Sequence, residues 1–263
     1  MTYSGKVRRL SRIISTSGKT VIVPIDHGPE AYYPQLVKVE QLIKDICSEG
    51  VDALLLRRGV ISKVSEHMGR NIGLIYRVTG ATGTDPLSQT AQKVLSSVEE
   101  AIRYGADAIV FTVTAGHPSE SEMFAAFCQI VEIAESHGLP VVGEVDVFDA
   151  SKPDAWEEVR RLSRALGEEG ADIVKAYFPG SRSHYRDIIS YSLVPVIAAG
   201  GSKAKDPKEV LHFVEAVMDA GAIGPCIGRN IWQYVEPSRM VRAIKALVEE
   251  EKTINEAIKI LRV

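Results

Sequence analysis

The chain has 263 residues, of which 45% are hydrophobic and 25% charged, and its formal net charge is -3. This balance fits a globular protein with a large core and excludes collagen-like and disordered chains. Acids and bases are mixed along the chain, so no basic face for nucleic acid is expected, and no apolar run reaches the ~18–20 residues of a membrane span.

The N-terminal stretch "MTYSGKVRRLSRIIS" has bases but no apolar segment of signal-peptide length. Cytoplasmic residence is therefore the expectation. Val7, Leu10, Ile13 and Ile14 recur at helical spacing, which predicts an amphipathic N-terminal helix. A first strand is expected in "TVIVPIDHG" (20–28). Four later segments share one pattern: "EGVDALLLR" (49–57), "YGADAIVFT" (104–112), "EGADIVKAY" (169–177) and "AGAIGPCIG" (220–228). Each has a glycine, a short residue and an apolar run. The pattern predicts a helix that ends at a glycine with positive φ and is followed by a strand. Further apolar runs, "NIGLIYRV", "LPVVGEVDV" and "VPVIAAGG", fall between them.

The eight strands are predicted at about 20–25, 53–57, 72–77, 107–112, 140–146, 171–177, 194–199 and 222–227. They are nearly continuous apolar runs, as expected of parallel strands covered on both faces. Amphipathic helices are predicted over 37–49, 121–137, 154–169 and 207–220, the last starting at Asp206 before Pro207. Strands alternating with helices predict one α/β domain over 1–263, a single (β/α)8 TIM barrel with an added N-terminal helix and a C-terminal helical tail at 253–263. The tail is a candidate for subunit contact, and 78–90 reads as a long loop. An open doubly wound sheet is the rival, but no GxGxxG follows the first strand. Cys47, Cys128 and Cys226 are far apart and read as buried small residues.

Barrel chemistry gathers at the C-terminal strand ends. "AAGGSK" (198–203) and "IGRN" (227–230) end the seventh and eighth strands. Gly200, Gly201, Ser202 and Gly228 would let backbone N–H groups approach a phosphate, a helical turn at "RNIWQ" would aim its dipole there, and Arg229 would add a charged fork. Arg57, at the second strand's end, is a further candidate for binding substrate or phosphate. In the sixth strand Ile173, Lys175 and Tyr177 share one face, predicted to point into the barrel. A lysine among apolar groups has its ammonium form disfavoured, and the neutral amine can form a Schiff base. The rival role is a charged lysine holding phosphate. Asp26, after the first strand, could move a proton or orient Lys175, or merely cap a turn before Gly28. Glu144 and Asp146 share a face of the fifth strand, where one could be an acid of raised pKa or both could neutralise Lys175, Arg57 or Arg77. Tyr177 is another candidate proton carrier. His67, His137 and His212 are expected on helices and His117 and His184 in loops, and no histidine spacing suggests a metal site.

With "PIDHG", "DIVKAYF", "AAGGSK" and "IGRNIWQ" in this order, the chain resembles the archaeal-type (DhnA-type) class I fructose-bisphosphate aldolases. That family is related to aminodideoxyheptulosonate synthase and the autoinducer-2 phosphate thiolase. The resemblance runs from about Val21 to Gln233. It implies that Lys175 is the Schiff-base lysine, that Asp26 assists proton transfer, and that Gly200, Gly201, Gly228 and Arg229 hold a substrate phosphate. It also implies no metal or other cofactor, because the iminium takes up the electrons, and a large homo-oligomer, often a decamer. One departure stands out. Where the family's fructose-bisphosphate aldolases have a W-x-Y-P-R pattern, this chain has "GEVDVFD" (143–149), which sets Glu144 at the tryptophan, Asp146 at the tyrosine acid–base and Phe148 at the arginine.

The expected activity is a metal-independent class I aldolase acting on a phosphorylated ketose or small carbonyl substrate. One alternative is a transaldolase-like synthase or thiolase on another phosphorylated carbonyl compound. Another is a non-catalytic phosphosugar-binding protein.

Overall fold

The structure is a computed structural model that describes residues 4–262 except Thr84, and for Arg262 the backbone alone. Eight parallel strands close a barrel in chain order: β1 (Ile22–Ile25), β2 (Ala53–Leu56), β3 (Gly73–Arg77), β4 (Ala108–Ala115), β5 (Val141–Val147), β6 (Ile173–Tyr177), β7 (Val196–Ala199) and β8 (Gly224–Cys226). Every predicted strand is present, with ends shifted by up to three residues. The four predicted helices form as Val39–Cys47, Glu120–Ser136, Ala155–Glu168 and Pro207–Asp219. Asp206 caps the last of these by accepting from the Lys208 N–H at 2.9 Å.

The repeated glycine–short residue–aspartate pattern has a structural cause. Gly50, Gly105, Gly170 and Gly221 all have positive φ, between 67° and 104°. Asp52 then accepts from the Val21 N–H at 2.7 Å, Asp107 from Leu74 at 3.0 Å and Asp172 from Val141 at 2.8 Å. Each aspartate thus ties the base of an even strand to the odd strand before it. The fourth repeat has Ile223 instead. There the seam between β8 and β1 closes tightly: a Cβ on Gly224 would lie 1.7 Å from the Thr20 carbonyl oxygen.

Inward residues form a closed apolar layer that includes Ile22, Leu55, Ile75, Val110, Val142, Ile173 and Ile197. The outward faces, such as Val174 and Ala176 on β6, join the larger core beneath the helices. The expected N-terminal helix forms over Ser4–Leu10, but its extent and apolar face need correction. The first helix ends at Leu10, Val7 is 51% exposed, and the four apolar residues do not share one helical face. A turn follows, with the N–H groups of Ile13 and Ile14 bonded to the Leu10 carbonyl, and it pushes Ile13 into the base of the barrel, where it is wholly buried. Burying a side chain of that size is worth about 1.5–3 kcal/mol.

The tail forms a helix, Ile254–Arg262, that packs on the chain's own helix Pro237–Val248. The region predicted as a loop after β3 contains a two-residue ribbon pairing Thr79–Gly80 with Lys93–Val94, and a short helix, Pro86–Thr90. Among the described residues, no helix is long and apolar enough to cross a membrane.

Candidate active site

A cleft opens at the C-terminal ends of the strands. One lobe, of about 630 Å³, is lined by Asp26, Lys175, Tyr177, Gly200, Gly201, Ser202, Gly228 and Arg229. A second, of about 440 Å³, lies on the β2–β5 side, and the two share Asp26, Glu30, Arg77, Glu144, Asp146 and Arg229.

Lys175 sits in the layer directly above the apolar plug formed by Ile173 and its neighbours, and it is only 6% exposed. Register places Glu144 of β5 opposite it, and the ammonium donates to Glu144 Oε1. Arg77, inward on β3, donates to Glu144 Oε2, to Thr112 Oγ1 and, through Nε at 2.7 Å, to Asp26 Oδ2. Thr112 Oγ1 also donates to Glu144 Oε2 at 2.7 Å. Asp26, Arg77, Glu144 and Lys175 thus form a continuous buried chain of alternating charge across four strands.

This changes the expected state of Lys175. Burial disfavours its ammonium, as the sequence predicts, but the negative groups around it, Glu144 foremost with Cys226 and Asp26, together carry the pKa above the ordinary lysine value. For Glu144, burial pushes the pKa up, but Arg77 and Lys175 reverse that and hold it far below the usual carboxylate range. That environment favours the ionised form of Glu144, which suits a counter-charge to Lys175 better than an acid. Asp26 is also lowered: burial pushes it up, but Arg77, His27 and Lys175 together reverse that.

Asp146 behaves differently. Its side chain opens into the cleft, and its one described hydrogen bond is from the Val147 N–H at 2.9 Å. Desolvation by the surrounding cleft and then the nearby Glu144 charge raise its pKa. Two carboxylates two residues apart are thus driven in opposite directions, as in sites that divide acid and base roles.

The loops after β7 and β8 are built for close backbone approach. A Cβ on Gly228 would lie 2.6 Å from the Pro24 carbonyl oxygen, and one on Gly200 would lie 2.9 Å from Ile227 Cα. Gly201 has φ of +62°. Buried Asn230 ties the first loop down: its Oδ1 accepts from the Ala204 N–H at 2.7 Å, and its Nδ2 donates to the carbonyls of Gly200 (3.3 Å) and Ser202 (3.0 Å). Arg229 donates to the Gly201 carbonyl at 3.1 Å and approaches Glu30, while its buried Nε has no partner among the described residues. The helical turn expected at "RNIWQ" forms over Arg229–Trp232, too short to carry much dipole, so the positive charge comes mainly from Arg229.

Arg57 does not join this loop cluster. It lines the second lobe, where Nε donates to the Asp26 carbonyl at 2.9 Å and Nη1 to the Thr79 carbonyl at 3.0 Å. Tyr177 is half-buried and lines the first lobe, as its shared face with Lys175 predicts. His27 lines the cleft as well, with Nδ1 3.2 Å from Asp26 Oδ1, and burial, only partly offset by Asp26, lowers its pKa. His117 is fixed by the Leu87 carbonyl and the Ser119 N–H. His184 lies on the helix Arg182–Tyr191, stacked on Trp156 at 4.3 Å, instead of in a loop. The sequence reading gave Arg77 and Asn230 no role of their own. Parity in "GLIYR", with Ile75 and Arg77 on one face, was the signal for Arg77; for Asn230 local sequence carried none.

Residues 20–234 match the family described as DeoC/LacD family aldolase. A 2-amino-3,7-dideoxy-D-threo-hept-6-ulosonate synthase from Halobacterium salinarum is 32% identical over 259 residues, covering 95% of this chain and 94% of that protein. One from Archaeoglobus fulgidus is 30% identical, covering 97% of this chain and 95% of that protein. A solved archaeal fructose 1,6-bisphosphate aldolase superposes with a TM-score of 0.81 at 28% identity, covering 92% of this chain and 98% of that one. In another structure of an archaeal fructose-1,6-bisphosphate aldolase, of equal TM-score and identity and covering 92% and 99% of the two chains, the catalytic lysine is covalently bound to the carbinolamine intermediate. This chain belongs to the DeoC/LacD aldolase family.

Proposed function

We propose that the protein is a class I aldolase that makes or breaks a carbon–carbon bond in a phosphorylated ketose through a Schiff base on Lys175. The observation that carries this reading is the placement of Lys175, whose amine lies at the floor of a cleft that also holds the glycine loops and Arg229. The substrate phosphate sits on Gly200, Gly201, Ser202, Gly228 and Arg229, and the carbonyl carbon reaches Lys175.

The reactive form of Lys175 is the free amine, reached by loss of one proton to the cleft. Nζ adds to the carbonyl carbon and the carbonyl electron pair becomes a hydroxyl. Loss of water leaves a cationic iminium, which the ionised Glu144 beside it stabilises. Ionised Asp26 takes the proton from the hydroxyl on the carbon that will leave as the aldehyde. The carbon–carbon bond breaks and its electron pair forms the enamine. Asp146 protonates the enamine carbon, and water then releases the ketone and the amine. In the synthetic direction the enamine attacks an aldehyde instead.

A second reading, a synthase joining a phosphorylated carbonyl donor to another acceptor, draws on the synthase relatives and on the carboxylate Asp146 where the resemblance would supply a tyrosine. The order of addition does not depend on this choice. An assembly of several copies belongs to the same proposal through the resemblance. The test is borohydride reduction in the presence of dihydroxyacetone phosphate, followed by peptide mass mapping. A reduced adduct on Lys175, lost in Lys175→Met, is expected; an intact lysine peptide after reduction would sink the reading.

A further inference from the structure

We propose that the second lobe receives an uncharged, hydroxylated end of the substrate, so that the ketose carries one phosphate, next to its carbonyl, and not a phosphate at each end. This rests on the Schiff-base reading above, which fixes the carbonyl at Lys175 and the phosphate on the glycine loops.

The two lobes meet at Asp26, Glu30, Arg77, Glu144, Asp146 and Arg229, so a ketose held at Lys175 with its phosphate in the first lobe extends its remaining carbons into the second. Among the described residues, three cations line that second lobe, and each already makes contacts within the protein. Arg77 is clamped between Asp26 and Glu144. Arg57 turns its fork onto two backbone carbonyls. Arg229 lines both lobes: it donates to the Gly201 carbonyl of the phosphate loops and approaches Glu30, with its Nε without a partner among the described residues, and in this proposal it is taken up by the first phosphate.

Against these stand four carboxylates lining the same lobe, Asp26, Glu30, Glu144 and Asp146. A second phosphate dianion would enter a space with no net positive charge and would pay both desolvation and repulsion. Phe148, the residue that stands in the sequence where a bisphosphate-binding relative would have an arginine, turns away onto His117, with ring centroids 5.2 Å apart. The rest of the wall offers neutral donors and acceptors, with Gln92, Thr90 and Thr82 among them. Amide and hydroxyl groups match the hydroxyls of a sugar chain and reject a group that leaves them unpaired.

The experiment uses the intact protein, borohydride and three probes: fructose 1-phosphate, fructose 1,6-bisphosphate and dihydroxyacetone phosphate. The readout is the half-saturating concentration for adduct on Lys175. Fructose 1-phosphate is expected to saturate at a concentration at least about tenfold lower than the bisphosphate. Gln92→Leu is expected to weaken fructose 1-phosphate at least about fivefold more than dihydroxyacetone phosphate, which is too short to fill the second lobe. Equal or tighter saturation by the bisphosphate overturns the proposal, and so does a Gln92→Leu variant that weakens both monophosphates alike. In either case the Schiff-base reading stands, because adduct still forms. Lack of adduct with dihydroxyacetone phosphate overturns that reading, and this proposal with it.

Discussion

Glu144 and Lys175 face each other in register on adjacent strands, and their ion pair at the barrel mouth links the proposed nucleophile to Arg77 and, through it, to Asp26. The apolar layer beneath isolates the pair from the opposite end of the barrel. Lys175 is thus not a neutral amine waiting in an oily strand. It is a charged group held in place by its neighbour, and that neighbour also suits the positive iminium that would replace it.

Glu144→Gln removes the strongest of the groups that raise the Lys175 pKa, leaving burial and Arg77, which lower it, against the weaker pull of Cys226 and Asp26. The free amine should then form at lower pH, so the pH midpoint for borohydride-trapped adduct should move down. Turnover should fall about 10²-fold, because the iminium loses its counter-charge. A pH series of trapping, read beside steady-state kinetics, checks both; an unchanged midpoint would contradict the role assigned to Glu144.

Asp146→Asn should leave adduct formation intact and lower kcat by about 10²- to 10⁴-fold. As an acid, Asp146 works in its protonated form. Its pKa is raised, so activity should decline with rising pH through a midpoint above the ordinary carboxylate range. That limb should vanish in the asparagine variant. A midpoint retained in Asp146→Asn would assign the acid to another group, with Tyr177 the nearest alternative on the Lys175 face.

Asn230→Ala cuts three hydrogen bonds that hold the loop after β7, none of them to a catalytic side chain. The expected effect is a KM for the phosphorylated substrate raised about tenfold or more, with a smaller change in kcat. Competition by inorganic phosphate gives an independent readout, since its inhibition constant should rise in parallel. A fall in kcat at constant KM would place the effect elsewhere.

Asp52 gives a prediction about stability at the barrel base. Burial, partly opposed by the Val21 N–H and then reinforced by Glu249, raises its pKa from 3.8 to about 6. A raised folded-state pKa contributes stability that is present below the unfolded value of 3.8 and lost as pH rises through about 6. Asp52→Asn keeps an oxygen for the Val21 N–H but cannot ionise. Relative to the parent, the variant should gain more in Tm at pH 7 than at pH 4. Thermal melts of the two proteins at both pH values test this, and an equal shift at both would refute the coupling.

Much of the fold was legible because it rests on local rules. Glycines that need positive φ and apolar runs too continuous for a half-exposed sheet mark eight strands in order. Period-2 parity then put Lys175, Tyr177, Glu144 and Asp146 on inward faces before any contact was known. The same parity holds for Ile75 and Arg77, but nothing local says that Arg77 clamps Asp26 and Glu144. Arg57 lines the second lobe, away from the glycine loops, for a related reason: a strand end gives direction, but not the acceptor to which a long side chain will turn.

What the sequence by itself determined, then, is the barrel, its repeats and the ring of polar residues at its mouth, since each follows from backbone geometry and burial within one or two elements. The charge states of that ring were decided only by tertiary structure. Lys175 meets a carboxylate 31 residues away, and that carboxylate meets an arginine 67 residues away. Electrostatic energy depends on separation in space within a medium of low dielectric constant, and chain closure alone sets those separations. The same closure splits Glu144 from Asp146, leaving one carboxylate permanently charged and the other fit to carry a proton.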